Sequence, residues 1–384
     1  MLLPDTTMQV SFLKDLVTQR NASSSYGCLN YLADRGRLAD FINRGDFFPL
    51  RAEFHDYLSW AAARVRVPVD YATEIDTVTW RAGVFELHTP DRGVIRARNL
   101  VLGGGLRPKL PAGVTPGRRV FHNHEMLPRF HALPAASRRC YVVVGAGQSA
   151  AEVVAYLHDH TDAEVHAVFA KYGYTPADDS PYANRIFDAD TVDEYYAADP
   201  GWRDRLMHYH RGTNYSAVDP ALIDDLYRRE YGERVDGRRR LFVHGASEVV
   251  ELREHDADVE VTVAHRLPDT KSHLRAAAVI FATGFEPTPV ADMLGDLANA
   301  TRADRHGRPA LDRLYRLQTA DEITGQIFVQ GNSEHTHGLT STLLSNIAIR
   351  SGEITEAIAR HRDDPQRGTP ADLIDAGLSN GGHQ

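Results

Sequence analysis

Cys140-Tyr141-Val142-Val143-Val144-Gly145-Ala146-Gly147-Gln148-Ser149-Ala150-Ala151-Glu152 is the stretch from which the rest of the chain is read. An apolar run, expected as a buried strand, breaks into Gly-x-Gly-x-x-Ala where a helical pattern, Glu152 to Leu157, begins. The first glycine permits a tight turn, the second lets the backbone approach a pyrophosphate, and the small Ala150 lets helix pack on strand. Free N–H groups at the helix start face the anion. The stretch predicts a dinucleotide site and, with it, redox chemistry. A second strand-like run, Glu164-Val165-His166-Ala167-Val168-Phe169, follows at the spacing of a βαβ unit. Beyond it, where an NAD site places an acidic residue for the ribose hydroxyls, stand Ala170 and Lys171. A cation there favours a 2′-phosphate, so the spacing predicts NADPH over NADH, with Lys171 and Arg185 as candidates for that phosphate. Two solvated surface charges are the plain alternative.

The chain of 384 residues is 42% hydrophobic, enough for a sizeable core and two or three domains. Lys and Arg number 43 against 52 Asp and Glu, a net charge of −9, and no basic stripe with interleaved aromatics appears, which argues against nucleic acid or an anionic membrane as partner. No apolar run reaches the roughly 20 residues of a membrane span, and Met1-Leu2-Leu3-Pro4-Asp5 lacks signal-peptide features. Cytoplasm is the expected location. Cys28 and Cys140 form neither a disulfide framework nor a zinc pattern, and the 19 histidines show no metal-ligand spacing, so no metal is expected.

Residues Met8 to Leu16 and Phe54 to Val65 read as helices. Tyr71 to Val101 alternates like a β-meander, with turns at Arg81-Ala82-Gly83 and Asp91-Arg92-Gly93, and closes on Leu100-Val101-Leu102-Gly103-Gly104-Gly105. Proline-rich segments Pro108 to Pro116 and Pro128 to Pro134 read as linkers. Tyr172 to Arg240, rich in Tyr, Asp and Arg, reads as an inserted substrate element with a helix hairpin over Thr191 to His210. Strands return at Leu241 to His244, Val249 to Leu252, Glu260 to Ala264 and Ala277 to Phe281, the last ending in Ala282-Thr283-Gly284-Phe285, where a glycine lets the chain pass close to a nucleotide. Ile327 to Asn332 is a final strand. A histidine-bearing loop and Thr340 to Asn346 then lead into a long helix to about Ala359, with a mobile tail beyond Arg360.

Further motifs stand in order along the chain: Met8-Gln9-Val10-Ser11-Phe12-Leu13-Lys14-Asp15-Leu16, Arg51-Ala52-Glu53-Phe54-His55-Asp56-Tyr57-Leu58-Ser59-Trp60, Gly147 to Glu152, Asp178-Asp179-Ser180-Pro181-Tyr182-Ala183-Asn184, Thr213-Asn214-Tyr215-Ser216 and His337-Gly338-Leu339. With these the chain resembles the N-hydroxylating flavin monooxygenases of siderophore biosynthesis, the L-ornithine N5-monooxygenase and L-lysine N6-monooxygenase family, from Met1 to about Ala359. The resemblance implies an α/β flavoprotein with two dinucleotide-binding domains, Rossmann-like units for FAD and NADPH, and a small mostly helical substrate insert. The implied division is 1–126 and 277–384 for FAD, 127–170 and 240–276 for NADPH, and 171–239 for the insert. The implied reaction is hydroxylation of the side-chain amine of ornithine, or lysine, with NADPH, FAD and O2.

Site residues follow by the same resemblance. Lys14 pairs with the substrate α-carboxylate, a task suited to a long-stemmed point charge, and Asn184, Asn214 and Ser341 bind the amino acid. Met8, Gln9, Arg51 and Leu339 line the flavin, while Gly145, Gly147, Gln148, Ser149 and Lys171 bind NADPH. Arg51 and Asn214 are expected at the reacting centre. Read singly, Asn184 and Asn214 also fit turn formers, Lys14 a solvated surface charge, and Arg51 a pair for Glu53. The resemblance further implies a homo-oligomer, a tetramer. The family opens with its own strand, glycine turn and helix for the FAD diphosphate, an arm of roughly 30 residues. None precedes Met8 here, so the expectation is a FAD domain without that arm, through a start placed too far downstream or in a form that does not hold flavin firmly. The alternative function is accordingly an NADPH-binding remnant. A disulfide reductase is disfavoured for want of a Cys-x-x-Cys pair, and a monooxygenase acting on diamines would not need Lys14.

Overall fold

The computed structural model describes residues 3–4, 6–134 and 139–362. The chain opens in turns, followed by helices α1 (Cys28–Asp34), α2 (Leu38–Arg44) and α3 (Arg51–Ala62). The helix expected over Met8 to Leu16 does not form. The buried Asp15 carboxylate instead accepts the N–H groups of Val17 (2.9 Å), Thr18 (2.6 Å) and Cys28 (2.7 Å) and the Thr18 hydroxyl (2.8 Å). An Asp that captures nearby backbone donors competes with the helical ladder. Helix α3 buries Phe54, Tyr57, Trp60 and Ala61 against Tyr31 and Leu32 of α1.

The predicted meander is present as β1 (Thr77–Arg81), β2 (Val84–Thr89) and β3 (Gly93–Ala97), antiparallel and in that order. Its first turn holds Ala82 and Gly83 at φ 49° and 82°, the positive pair that matches the twist of a two-residue hairpin. Then come β4 (Asn99–Leu102), β5 (Leu106–Pro108), β6 (Val120–His122) and α4 (Met126–Ala132). Helix α4 replaces the second expected linker, because Pro128 falls in the first turn, where its missing N–H has no helical acceptor to lose.

The deciding stretch folds as read, into β7 (Cys140–Val144), α5 (Gln148–His160) and β8 (Glu164–Val168). The expected hairpin appears as α6 (Thr191–Ala197) and α7 (Pro200–Asn214), and α8 (Pro220–Asp236) follows. Helices α7 and α8 begin alike: Asp199 and Asp219 accept the N–H of Gly201 and Ala221, each at 2.8 Å, with Pro200 and Pro220 in the first helical position. The remaining elements are β9 (Leu241–His244), β10 (Ser247–Glu254), β11 (Val259–His265), β12 (Thr270–Ala276), β13 (Ala278–Phe281), β14 (Phe285–Pro287), α9 (Val290–Leu294), β15 (Gln326–Val329), α10 (Glu334–His337) and α11 (Ile347–Arg362). The tail expected to be mobile lies, beyond 362, outside the described residues.

A parallel sheet of order β6-β13-β7-β8-β9 carries the centre of the molecule. Strand β7 is apolar along its length because both faces are covered. On one face Val153, Val154 and Leu157 of α5 are fully buried, each worth roughly 1.5–3 kcal/mol. On the other lies the antiparallel meander β10-β11-β12, through Val259, Val261 and Val263. Helix α8 packs on α5 and β9. A second parallel pair, β15 with β4, supports the turns that follow Val329, and β14 pairs antiparallel with β5.

Candidate functional site

A cavity of about 1740 Å³ opens at the carboxyl ends of β7, β8 and β13. Chain order reverses there: β7 continues through α5 to β8 on one side, while its other neighbour, β13, arrives from far along the chain. Such a switch point is where open α/β sheets bind ligands, and the volume exceeds the roughly 300–1,000 Å³ of an ordinary small-ligand pocket. Its floor is the turn between β7 and α5. Gly145 has φ +143°, and a Cβ there would stand 2.4 Å from the carbonyl oxygen of Ala282. Gly147 caps α5, and Ala150 and Ala151 donate to its carbonyl at 3.0 and 3.1 Å. The next residues, Gln148 and Ser149, begin the helix and present N–H groups with no helical acceptor. Gly145, Gly147, Gln148 and Ser149 all line the cavity, a cradle that fits a dinucleotide pyrophosphate.

Lys171 lines the same cavity, its ammonium donating to Thr175 Oγ1 and the Ser216 carbonyl, both at 2.6 Å. Arg185 is not among the lining residues. It stands exposed on a 3₁₀ turn (Ala183–Phe187), 3.9 Å from Asp188. The cations that do join Lys171 are Lys109 and Arg211, neither singled out in the sequence. Arg211 lies on α7 and reaches the cavity only because the insert folds back over the sheet, which no local pattern announces.

A second polar surface follows β15. Gly331 and Gly338 have φ +92° and +78°, and 3₁₀ turns Leu339–Thr342 and Leu344–Asn346 lead into α11. Here Ser333 Oγ, Ser341 Oγ, Ser345 Oγ and Asn346 Oδ1 are buried without a hydrogen-bond partner. Each such group costs about 1–3 kcal/mol if nothing satisfies it. Their concentration in one stretch fits the edge of a flavin ring, which carries both donors and acceptors. Leu339 is buried beside them. The nearby histidines are structural: His335 bonds the Pro309 carbonyl (2.8 Å), and His337 bonds the Arg313 carbonyl (3.1 Å) and stacks on Tyr315, burial pushing its pKa down to about 3. Arg350, also missed in the sequence, lies buried behind the turns and donates to Gln330 Oε1 (3.0 Å) and the Thr340 carbonyl (3.2 Å). Glu334 connects the two surfaces: it lines the cavity and accepts from the Tyr215 and Thr342 hydroxyls.

The other sequence-derived candidates are distributed as follows. Met8 is half-buried, with its N–H on the Pro49 carbonyl (2.8 Å), and Gln9 is exposed. Arg51 does not pair with Glu53, as its plain reading had it. Its Nη1 and Nη2 each stand 2.7 Å from a carboxylate oxygen of Glu152, while the Glu53 carboxylate faces Arg37 at 3.5 Å. Glu53, two positions along α3, does not face Arg51 on the helix surface, and only the fold brings Glu152 of α5 within reach. Lys14 is partly exposed and makes no ion pair among the described residues. Asn184 is exposed and donates to the Asp179 carbonyl at 2.8 Å. Its turn packs against α7 and the turn bearing Ser341, and Asn346 ties them by donating to the Phe187 carbonyl at 3.1 Å. Asn214 ends α7, with its side chain outside what is described. Neither Lys14 nor Asn184 lines the large cavity.

Although no metal spacing shows in the sequence, the parallel register of β7 and β8 brings ligand atoms of Cys140, Glu164 and His166 within 4.8 Å of one another. Burial holds the Cys140 thiol up at about 12, so it stands there protonated. No described helix is long and apolar enough to cross a membrane.

Compared with known proteins, residues 1–287 match the family model described as L-lysine 6-monooxygenase/L-ornithine 5-monooxygenase. The chain is 37% identical over 361 residues to the L-ornithine N(5)-monooxygenase of Burkholderia cepacia, spanning 88% of this chain and 80% of that one. Among solved structures it is similar to an ornithine N-hydroxylase from Kutzneria sp. 744, described with reduced FAD, NADP+ and L-ornithine, at TM-score 0.91 and 42% identity, covering 94% of this chain and 89% of the other. It is also similar to the L-lysine 6-monooxygenase from Pseudomonas syringae, at TM-score 0.81 and 30% identity, covering 93% and 87%.

Proposed function

The chain belongs to the L-lysine 6-monooxygenase/L-ornithine 5-monooxygenase family, and on that premise we propose that it hydroxylates the side-chain nitrogen of L-ornithine, with NADPH as reductant and O2 as oxidant, for hydroxamate siderophore biosynthesis. It is an α/β flavoprotein monooxygenase with two dinucleotide-binding units. The observation that carries ornithine over lysine is the graded likeness, 42% identity and TM-score 0.91 to an ornithine N-hydroxylase against 30% and 0.81 to a lysine monooxygenase. One methylene separates the two amino acids, a difference worth about 1–3 kcal/mol in a pocket. Likeness over 94% of this chain to a hydroxylase described with FAD favours the enzyme over an NADPH-binding remnant.

FAD supplies two-electron reduction and the activation of O2, while the protein binds, orients and excludes water. In this reading Gly145, Gly147, Gln148 and Ser149 take the NADPH pyrophosphate, and Lys171, with Arg211 in the same cavity, takes the 2′-phosphate. Met8, Gln9, Arg51 and Leu339 line the flavin, and the unsatisfied oxygens Ser341 Oγ, Ser345 Oγ and Asn346 Oδ1 give its edge hydrogen bonds. Lys14 pairs with the α-carboxylate, and Asn184, Asn214 and Ser341 hold the amino acid. The amine must lose its proton before its lone pair can attack, and removal from water favours that neutral form. Arg51 and Asn214 stand at the reacting centre. The division into FAD (1–126, 277–384), NADPH (127–170, 240–276) and substrate (171–239) units belongs to the same reading, as do a cytoplasmic location and a homotetramer.

Purified protein supplied with NADPH, O2 and either amino acid, assayed for hydroxylamine product and bound FAD, tests the proposal. The expected result is N5-hydroxyornithine in preference to the lysine product. No product from either amine refutes it.

A further inference from the structure

The Arg51–Glu152 pair joins segments 101 residues apart. Arg51 opens α3; besides its two bonds to Glu152, its Nε holds the Thr7 carbonyl at 3.1 Å and its backbone N–H meets the Thr6 carbonyl at 2.9 Å. Glu152 lies on α5, one turn beyond Gln148, and accepts Gln148 Nε2 at 3.0 Å. Gln148 in turn accepts the N–H of Asp219, the cap of α8, at 2.8 Å. One carboxylate therefore gathers the N-terminal segment, the amide at the dinucleotide turn and, through it, the start of α8. The side chains of the pair are only 18% and 6% exposed.

A buried ion pair is weak evidence of stability, since well-packed apolar residues often serve as well, and its best-attested use is to specify one register between parts. The parts in register here are the segment running into Met8 and Gln9 and the helix that cradles the pyrophosphate. We propose that Glu152 is a positioning residue for flavin reduction. Its carboxylate locks Arg51 and the Thr6–Thr7 strand of chain to α5, so that nicotinamide and flavin meet at one distance. This rests on the FAD and NADPH reading above. The step it positions moves a hydride, two electrons with one proton, from NADPH to FAD, leaving NADP+ and reduced flavin.

Glu152→Gln keeps the shape of the side chain and its contact with Gln148 while removing the charge that orders Arg51. The test is anaerobic stopped-flow reduction of the FAD-loaded enzyme by NADPH, with rate constant and Kd measured separately, beside hydrogen exchange of the Met8 and Arg51 amides without substrate. The expected result is a reduction rate at least about tenfold lower, within the roughly hundredfold that a 1 Å misplacement can cost, at near-parental Kd and FAD content, with faster exchange at both amides. Glu152→Asp, which keeps the charge, should recover part of the rate, and it stands as the primary variant if Glu152→Gln does not fold. Parental reduction rates in both variants, or a rise in Kd alone, overturn the proposal, the latter by assigning Glu152 to pyrophosphate binding. Parental enzyme that binds FAD yet is not reduced by NADPH overturns the functional reading itself, and this inference with it.

Discussion

Replacing Gly145 by Ala tests the dinucleotide turn directly. At φ +143° an L side chain is strained, at a cost of about 1–3 kcal/mol. The added Cβ would also stand 2.4 Å from the Ala282 carbonyl oxygen and 3.0 Å from its carbon. Those are backbone atoms of the chain leaving β13, and the Ala282 N–H bonds the Val144 carbonyl at 2.8 Å. Relief therefore requires β13 to move away from β7, an overpacking penalty of about 1–3 kcal/mol more. The sum, about 2–6 kcal/mol, corresponds to a melting temperature lower by roughly 2–8 °C for a chain of this size. Because Gly145 and Ala282 both line the cavity, NADP+ affinity should fall with it. Thermal melts by circular dichroism and titration calorimetry with NADP+ provide the readings. Gly232→Ala in α8, where nothing lies within 4 Å of the added Cβ, is the control and should gain about 0.5–1 kcal/mol by helix propensity. If Gly145→Ala melts with the parent and binds NADP+ as tightly, the account of this turn is wrong.

Stability should fall as the solution is acidified from pH 6.5 toward 4. Burial pushes His337 down to about 3 and His244 to about 4, so both are neutral when folded and take up protons on unfolding below their ordinary value of 6.5. Each then removes about 2 kcal/mol by pH 5, a slope that urea titrations at pH 7, 6 and 5 would detect and a flat profile would contradict. Lys171→Glu should weaken NADPH relative to NADH by roughly thirtyfold, about 2 kcal/mol, in steady-state kinetics; an unchanged ratio removes Lys171 from the phosphate site. Lys14→Ala should raise KM for ornithine by about tenfold or more while leaving NADPH binding alone, and equal turnover of ornithine by variant and parent would place the α-carboxylate elsewhere.

The β7 turn and α5 are legible because everything that specifies them is local. Two glycines, a small residue and an apolar run sit within a few positions, and φ +143° at Gly145 with Gly147 as the helix cap is the geometry those residue types permit. The meander over 77–97 is legible for the same reason, through alternation and a positive-φ turn. Local reading failed at Met8 to Leu16, where the pattern looked helical but Asp15 found donors at Val17, Thr18 and the distant Cys28. It failed at Pro128, whose effect depends on its position in a helix turn. Side-chain partnerships were the least legible of all. Glu53, two residues from Arg51, was the nearer partner by sequence, yet Glu152 takes the guanidinium, and Arg211 and Lys109 join Lys171 only in the folded cavity. Backbone conformation responds to adjacent residues, whereas a long charged side chain pairs with whatever the closed chain brings within about 3 Å. The residues therefore announced a dinucleotide fold and its turn, and chain closure alone chose which charges meet around it.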